Sequence, residues 1–294
     1  MDDLYTKDQH IGGAALADTA LRQYHLVRHM LDNADYDEPI GRQLMSMAGE
    51  LAVRVGWLNY DGNDQNRSRE LYSEAFLLAG QVGDAALAVR AIEKMSLQST
   101  QLASKRSHRG FAREAVRLSA RAVELARYDA SPRLHALLAG REAIAHAATG
   151  DSHGFDAAII RAKREIDRTG SAEDEAIWLR FATASEITVH EAKGRSYLGD
   201  LDTASTLYRA SLHEPGLSPR NRANYHAQLA ATLAARGDAA EAISEGLTVL
   251  PALESQVASP RTIAELRRVR QVAQDRKDDE FCARYDTLCT TSRA

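Results

Sequence analysis

The sequence predicts an all-α protein made of stacked helical hairpins, and three observations carry that reading: a helix-forming composition, the lack of strand patterns, and a recurring turn. Of the 294 residues, 44% are hydrophobic and 27% charged, enough apolar material for a continuous core. Ala, Leu, Arg and Glu recur throughout; they lose little entropy in a helix, and Ala lets helices pack closely. No run of Val, Ile, Thr and aromatic residues alternates with polar ones over the length of a strand, and Asp61-Gly62, the nearest approach to a hairpin turn, lies between helical patterns. Length alone would suggest about two compact domains, but a repeat array grows by stacking units and yields one elongated domain instead.

Asn63-Asp64, Gly150-Asp151, Gly199-Asp200 and Gly237-Asp238 each close one apolar helical segment and open the next. Gly or Asn accommodates the left-handed conformation that ends a helix, and Asp caps the helix that follows. Seven residues before these turns stand small residues, Gly56, Ala143, Ala192 and Ala230; five after them come Ser68, Phe155, Ala204 and Ala242. Nine after come Tyr72, Ile159, Tyr208 and Gly246, and twelve after come Ala75, Ala162, Ser211 and Val249. This register resembles the tetratricopeptide repeat, with a small residue in its first helix and an alanine, an aromatic and an alanine in its second. The resemblance implies a right-handed superhelix of tetratricopeptide-like helical hairpins whose first helices line a concave groove. Phe155 and Gly246 depart from the pattern, and the turns stand further apart than the usual repeat of about 34 residues.

In chain order, Leu16 to Leu31 reads as a helix, so residues 1–35 are expected to form an N-terminal helix and linker. Residues 36–294 then form the repeat domain, beginning with a helix over Pro39 to Tyr60. The wide gap between the first two turns calls for a degenerate repeat: a helix over about Ala85 to Leu102, a polar loop at Ala103 to Gly110, and a second helix over about Phe111 to Arg127. Breaks at Ser131-Pro132, Glu214-Pro215-Gly216, Ser218-Pro219 and Ser259-Pro260 fall between units, where proline starts a helix without losing a needed donor. Trp178, Arg180 and Phe181 are expected to open the fourth pair's first helix, and Arg261 to Thr290 to form a polar capping pair.

Several fragments in order point to a narrower group: Ile11-Gly12-Gly13 before the first helix, Gly41-Arg42-Gln43-Leu44 leading to Ala48-Gly49-Glu50-Leu51-Ala52, Gly56-Trp57-Leu58-Asn59-Tyr60-Asp61, Met95-Ser96-Leu97-Gln98, and Ser131-Pro132-Arg133-Leu134. They resemble the C-terminal, tetratricopeptide-like sensor region of actinobacterial helix-turn-helix transcriptional regulators of the xenobiotic-response-element type. The resemblance implies ligand sensing, homodimerisation and a link to transcriptional control. That family's DNA-reading domain would stand before Tyr5 and does not occur in this sequence, so DNA binding is not carried over.

The formal net charge of -4 and a pI near 6.2 argue against direct nucleic-acid binding, which rests on clustered Lys and Arg. Basic stretches at Lys105 to Arg109, Arg161 to Arg164 and Arg267 to Arg270 have acidic neighbours and read as solvated faces or loops. No secretory signal and no membrane-length apolar run occurs, so a cytoplasmic location without membrane contact is expected. Cys282 and Cys289 read as free thiols. No phosphate loop, His-Glu-x-x-His helix, Cys-x-x-Cys pair or nucleophile elbow is present, so no catalytic residue, cofactor or metal is assigned. His25 and His29 lie one helical turn apart but have no third ligand in view.

The repeat register names the groove. Positions thirteen, ten, six and three before a turn give Glu50, Val53, Trp57 and Tyr60 in the first repeat; Glu186, Val189, Lys193 and Ser196 in the fourth; and Asn224, Ala227, Ala231 and Ala234 in the fifth. The degenerate second repeat offers Arg90, Glu93 and Leu97. Aromatic platforms at Trp57 and Tyr60 beside Glu50, Arg90, Glu93, Glu186, Lys193 and Asn224 suit a small-molecule or peptide ligand, or a protein partner. The alternatives are a protein scaffold, or an enzyme that recruited groove carboxylates and histidines for acid–base work.

Overall fold

The computed structural model describes residues 2–106 and 109–291; Ser107 and His108, inside the expected loop and basic stretch, lie outside the described residues. Among the described residues every regular element is helical. The chain opens with α1 (Asp2–Ile11) and α2 (Ala17–Asn33). Five antiparallel hairpins follow: α3 (Glu38–Asp61) with α4 (Gln65–Val82), α5 (Ala85–Arg106) with α6 (Arg109–Leu125), α7 (Pro132–Thr149) with α8 (Ser152–Ile166), α9 (Ala184–Leu198) with α10 (Leu201–Ser211), and α11 (Pro219–Arg236) with α12 (Ala239–Ser255). Three helices end the chain, α13 (Pro260–Glu265), α14 (Arg267–Arg276) and α15 (Asp279–Thr291). Each hairpin packs on the next, so the protein is an all-α helical-repeat superhelix.

The turns work as their residues dictate. Asn63, Gly150, Gly199 and Gly237 all take positive φ, between 65° and 99°, and end the first helix of their hairpins. Asp64, Asp151 and Asp200 then accept backbone N–H groups of Arg67, Gly154 and Thr203 and start the second. Asp238 makes no such cap, because Arg236 takes its carboxylate. Gly83-Asp84 has the same geometry but joins one hairpin to the next, so the Gly-Asp pair marks helix ends in general.

The two departures from the repeat register have steric causes. Phe155 lies over Gly194, where a Cβ would come within 2.1 Å of its ring, and Gly246 makes the same room for Phe281 of α15. The large residue and the small one have changed helices, and the space between helices is filled in either arrangement.

Three expected boundaries need correction. Helix α5 runs on to Arg106 and α6 begins at Arg109, so the degenerate repeat has a much shorter connection than Ala103 to Gly110. Trp178, Arg180 and Phe181 do not open a helix: they lie in an irregular stretch with two 3-10 turns, and α9 starts at Ala184, capped by Thr183. The C-terminal cap is three helices, because Leu266 ends α13 directly before α14.

The superhelix closes on itself. Ala258 accepts from the N–H of Ala14 and donates to the carbonyl of Ile11, at 3.2 and 2.8 Å. Asp61, at the end of α3, is fully buried and accepts from Gly13 N, Ser259 Oγ, and Nε and Nη2 of Arg261. The first hairpin is thereby clasped to the C-terminal cap.

Candidate functional site

Closure turns the concave groove into a hollow of about 740 Å³. The first helices of all five hairpins, α3, α5, α7, α9 and α11, contribute to its wall. The rest comes from α1, the stretch around Trp178 and Phe181, residues 214–218, and Arg261 of α13. Arg133 at the start of α7 pins the Trp178 stretch by donating to the carbonyls of Ala182 and Gly170 at 2.7 and 2.9 Å.

Helix α1 crosses the groove and is held by side chains of the wall. Arg54 donates to the carbonyl of Leu4, Arg90 Nη2 to the Tyr5 hydroxyl at 3.0 Å, Trp57 Nε1 to Asp8 Oδ2 at 3.0 Å, and Ser218 Oγ to Gln9 Oε1 at 2.9 Å. Arg90 also pairs with Glu50.

A chain of charged and polar groups runs across successive hairpins. Lys94 Nζ lies 2.6 Å from Glu93 Oε1, and Arg141 Nε donates to Glu93 Oε2 at 3.3 Å. Arg141 Nη1 and Glu186 Oε1 both reach Nε2 of His190, at 2.9 and 3.2 Å, and the Tyr225 hydroxyl donates to Glu186 Oε2 at 2.6 Å. Helices α5 and α9 supply two links each, and α7 and α11 one each.

Burial sets the charge states. It works against the Glu186 carboxylate, yet His190, the Arg141 charge and the Tyr225 hydroxyl together hold that carboxyl down at about 2. Burial and the Arg141 charge push His190 below the ordinary imidazole range despite Glu186. Glu93 overcomes its burial through Lys94 and Arg141 and stays ionised, while burial draws Lys94 down against the pull of Glu93. Burial pushes the Tyr60 hydroxyl up to about 12.

Aromatic rings and cations interleave. The Lys94 ammonium sits 4.9 Å from the Trp57 ring and 5.4 Å from that of Phe181, and the Arg90 guanidinium 5.0 Å from that of Trp178. The guanidinium of Arg220 lies 5.1 Å from the Trp57 ring.

Of the residues singled out by the register, Trp57, Tyr60, Arg90, Glu93, Glu186, Lys193 and Asn224 come together on this wall. Glu50 lies in an adjoining opening with Arg90. Val53, Leu97 and Val189 line the hollow too, whereas Ser196, Ala227, Ala231 and Ala234 do not; in the fifth hairpin Tyr225 and Gln228 take their place. Asn224 accepts from Arg261 at 3.2 Å and so belongs to the clasp as much as to the wall. The register missed Lys94, Arg141, Arg220 and all of α1. Extending it to the Gly150 turn would have found Ile144, which lines the hollow, with Arg141 one turn before it. Nothing local in Arg220 or Asp8 announces their position.

His25 and His29 are exposed, and among the described residues no group of three His, Cys, Asp or Glu is placed to hold a metal ion. Cys282 and Cys289 are free. Among the described residues no helix is long and apolar enough to cross a membrane.

Fold and site together define a class: a helical-repeat superhelix enclosing a hollow of ligand size. No protein-family model matches the chain, and no curated protein matches it in sequence. Among solved structures it is similar to a signal transduction ATPase with numerous domains that carries a tetratricopeptide repeat sensor, from Pyrococcus horikoshii, at 13% identity and a TM-score of 0.48. The likeness covers 96% of this chain and 41% of that one, so this chain spans less than half its length.

Proposed function

We propose that this chain is a regulatory binding module that recognises a small-molecule ligand in the hollow of its superhelix. One observation carries the reading: the concave face of the repeats encloses about 740 Å³ and brings Trp57, Trp178 and Phe181 together with Lys94, Glu186 and Tyr225. That volume lies inside the range of about 300–1,000 Å³ common to ligand pockets, and the mixture of apolar walls with a few oriented polar groups is what such pockets use. Because the hollow is walled by every hairpin, a ligand that touches several of them favours one curvature of the array over others.

The link to transcriptional control rests on the sequence fragments around Trp57 and Pro132 that resemble sensor regions of helix-turn-helix regulators. A homodimer is supported by the same resemblance and by the exposed Leu26, Met30, Ile40 and Met47 near the N-terminal end of the array.

Native mass spectrometry of the protein purified from its own host tests both. The expected result is a dimer mass and a small molecule retained by the wild type but lost from Trp57→Ala. A wild type that carries nothing, and whose melting temperature stays unchanged in extracts of its host, would sink the sensor reading.

A further inference from the structure

The hollow has a cationic surplus that its own carboxylates do not balance. Eight Arg and Lys side chains line it against four carboxylates, those of Asp8, Glu93, Glu186 and Glu214. Several of the cations are already paired. Arg261 is held by Asp61, Arg90 by Glu50, and Arg141 and Lys94 by Glu93.

Arg54 and Arg220 are less well served: both are buried, both line the hollow, and among the described residues the Nε of each has no hydrogen-bond partner. Arg54 spends another donor on the carbonyl of Leu4, which leaves Arg220, 5% exposed, as the guanidinium of interest. The carboxylate beside it, Asp8, stands 3.8 Å away, beyond hydrogen-bond distance. That same carboxylate is shared with Arg54, at 3.7 Å, and is already bonded to the Trp57 indole. Two buried guanidinium groups therefore share the Asp8 carboxylate, and the other carboxylate that Arg220 acts on, Asp61, is bonded to Arg261, in surroundings where an uncompensated charge is costly. Asp8 is poorly served in turn: it is 1% exposed, and among the described residues its Oδ1 has no hydrogen-bond partner.

We propose that the hollow takes a small organic anion with an apolar or aromatic body, its carboxylate, sulfonate or phosphate group seated on Arg220 beside Trp57. This rests on the reading of the hollow as a ligand site and adds the chemical class of the ligand. A guanidinium presents a planar fork of donors that matches the oxygens of such a group, and burial strengthens the bonds it makes there. The walls suit the remainder of the molecule, since Trp57, Trp178 and Phe181 offer ring faces and Val53, Ile144 and Val189 offer aliphatic ones. Asp8 acts as an internal competitor, a carboxylate from α1 that partly fills the place of the ligand's own.

The two tryptophans of the chain, Trp57 and Trp178, both line the hollow, so energy transfer from tryptophan to a bound dye reports on this site. The probes are anilinonaphthalene sulfonate and phenylnaphthylamine, which share an aromatic skeleton and differ in the anionic group. The wild type is expected to bind the sulfonate at least tenfold more tightly than the neutral dye. Arg220→Met should remove that preference while leaving the neutral dye's affinity unchanged, Arg220→Lys should retain part of it, and Asp8→Asn should tighten sulfonate binding several-fold.

Equal affinities for the two dyes in the wild type, or an undiminished preference in Arg220→Met with native circular dichroism, overturn the anion proposal and leave the ligand-site reading standing. If neither dye accepts energy from tryptophan, both readings fall together. The wild-type comparison needs no variant, so a misfolded Arg220→Met leaves the test decisive.

Discussion

Asp61 and Asp8 are both buried carboxylates that tie the N-terminal part of the chain to the rest, yet the protein treats them in opposite ways. Asp61 is fully buried and accepts four hydrogen bonds, two of them from Arg261. Its carboxyl is held below the ordinary range because Arg261, Arg220, the Gly13 N–H and Ser259 outweigh the cost of burial. Asp8 accepts one hydrogen bond from Trp57, meets two guanidinium groups at 3.7 and 3.8 Å, and leaves one oxygen without a partner. A well-satisfied buried ion pair fixes geometry, since both carboxylate oxygens are bonded. An undersatisfied one leaves interaction energy available to another molecule, and it lies on the wall of the hollow.

The comparison can be broken most directly at the clasp. Asp61→Ala strands the buried Arg261 and is expected to destabilise the fold by about 3–5 kcal/mol, read as a shift of the urea-unfolding midpoint. A loss below about 1 kcal/mol would mean that the two ends of the superhelix are not held there.

Acid titration gives a smaller effect in the same class of saturated groups. The Glu186 carboxyl drops from 4.5 to about 2 on folding, so its contribution is whole above the unfolded value and is lost as pH falls towards 2. His190 is also depressed from 6.5, so the unfolded chain takes up its proton first and stability declines as pH falls below that value. Both signs agree: unfolding midpoints should fall with acidification from about pH 6.5 downward. Glu186→Gln should flatten the part of the profile below about pH 4.5; an unchanged slope there would contradict the linkage.

Asp8→Asn should have the mildest effect, about 1–2 kcal/mol, because neither guanidinium is hydrogen-bonded to Asp8, at 3.7 and 3.8 Å, Arg54 keeps the Leu4 carbonyl, and the amide oxygen still accepts from Trp57. Added anilinonaphthalene sulfonate is expected to raise the melting temperature of Asp8→Asn more than that of the wild type, as a ligand that binds the folded form must. Equal shifts would show that Asp8 and the dye do not compete.

Much of the architecture was legible locally. The glycine and aspartate turns announced the helix ends, and the small residues at Ala143, Ala192 and Ala230 announced where helices approach, all of them fully buried. The groove positions of α3, α5 and α9 followed from the same offsets, because a helix turns by a constant angle per residue and carries its register with it. Phe155 and Gly246 read as flaws in the pattern only because their partners, Gly194 and Phe281, lie in other helices. Trp178 and Phe181 stand where the sequence predicts a helix start, whereas Arg133 holds their segment as a loop through contacts 37 and 49 residues away in sequence.

By itself, then, the sequence determined most of the helices, their pairing and the faces that α3 and α5 present, since these depend on residues within a few positions of one another. Tertiary structure decided that the array bends far enough for Ser259 and Arg261 to reach Asp61, that α1 lies across the groove, and that Arg220 and Arg54 converge on Asp8. The small rotation between neighbouring hairpins adds along the stack, and only its sum, which no local spacing records, places residues from opposite ends of the chain around one hollow.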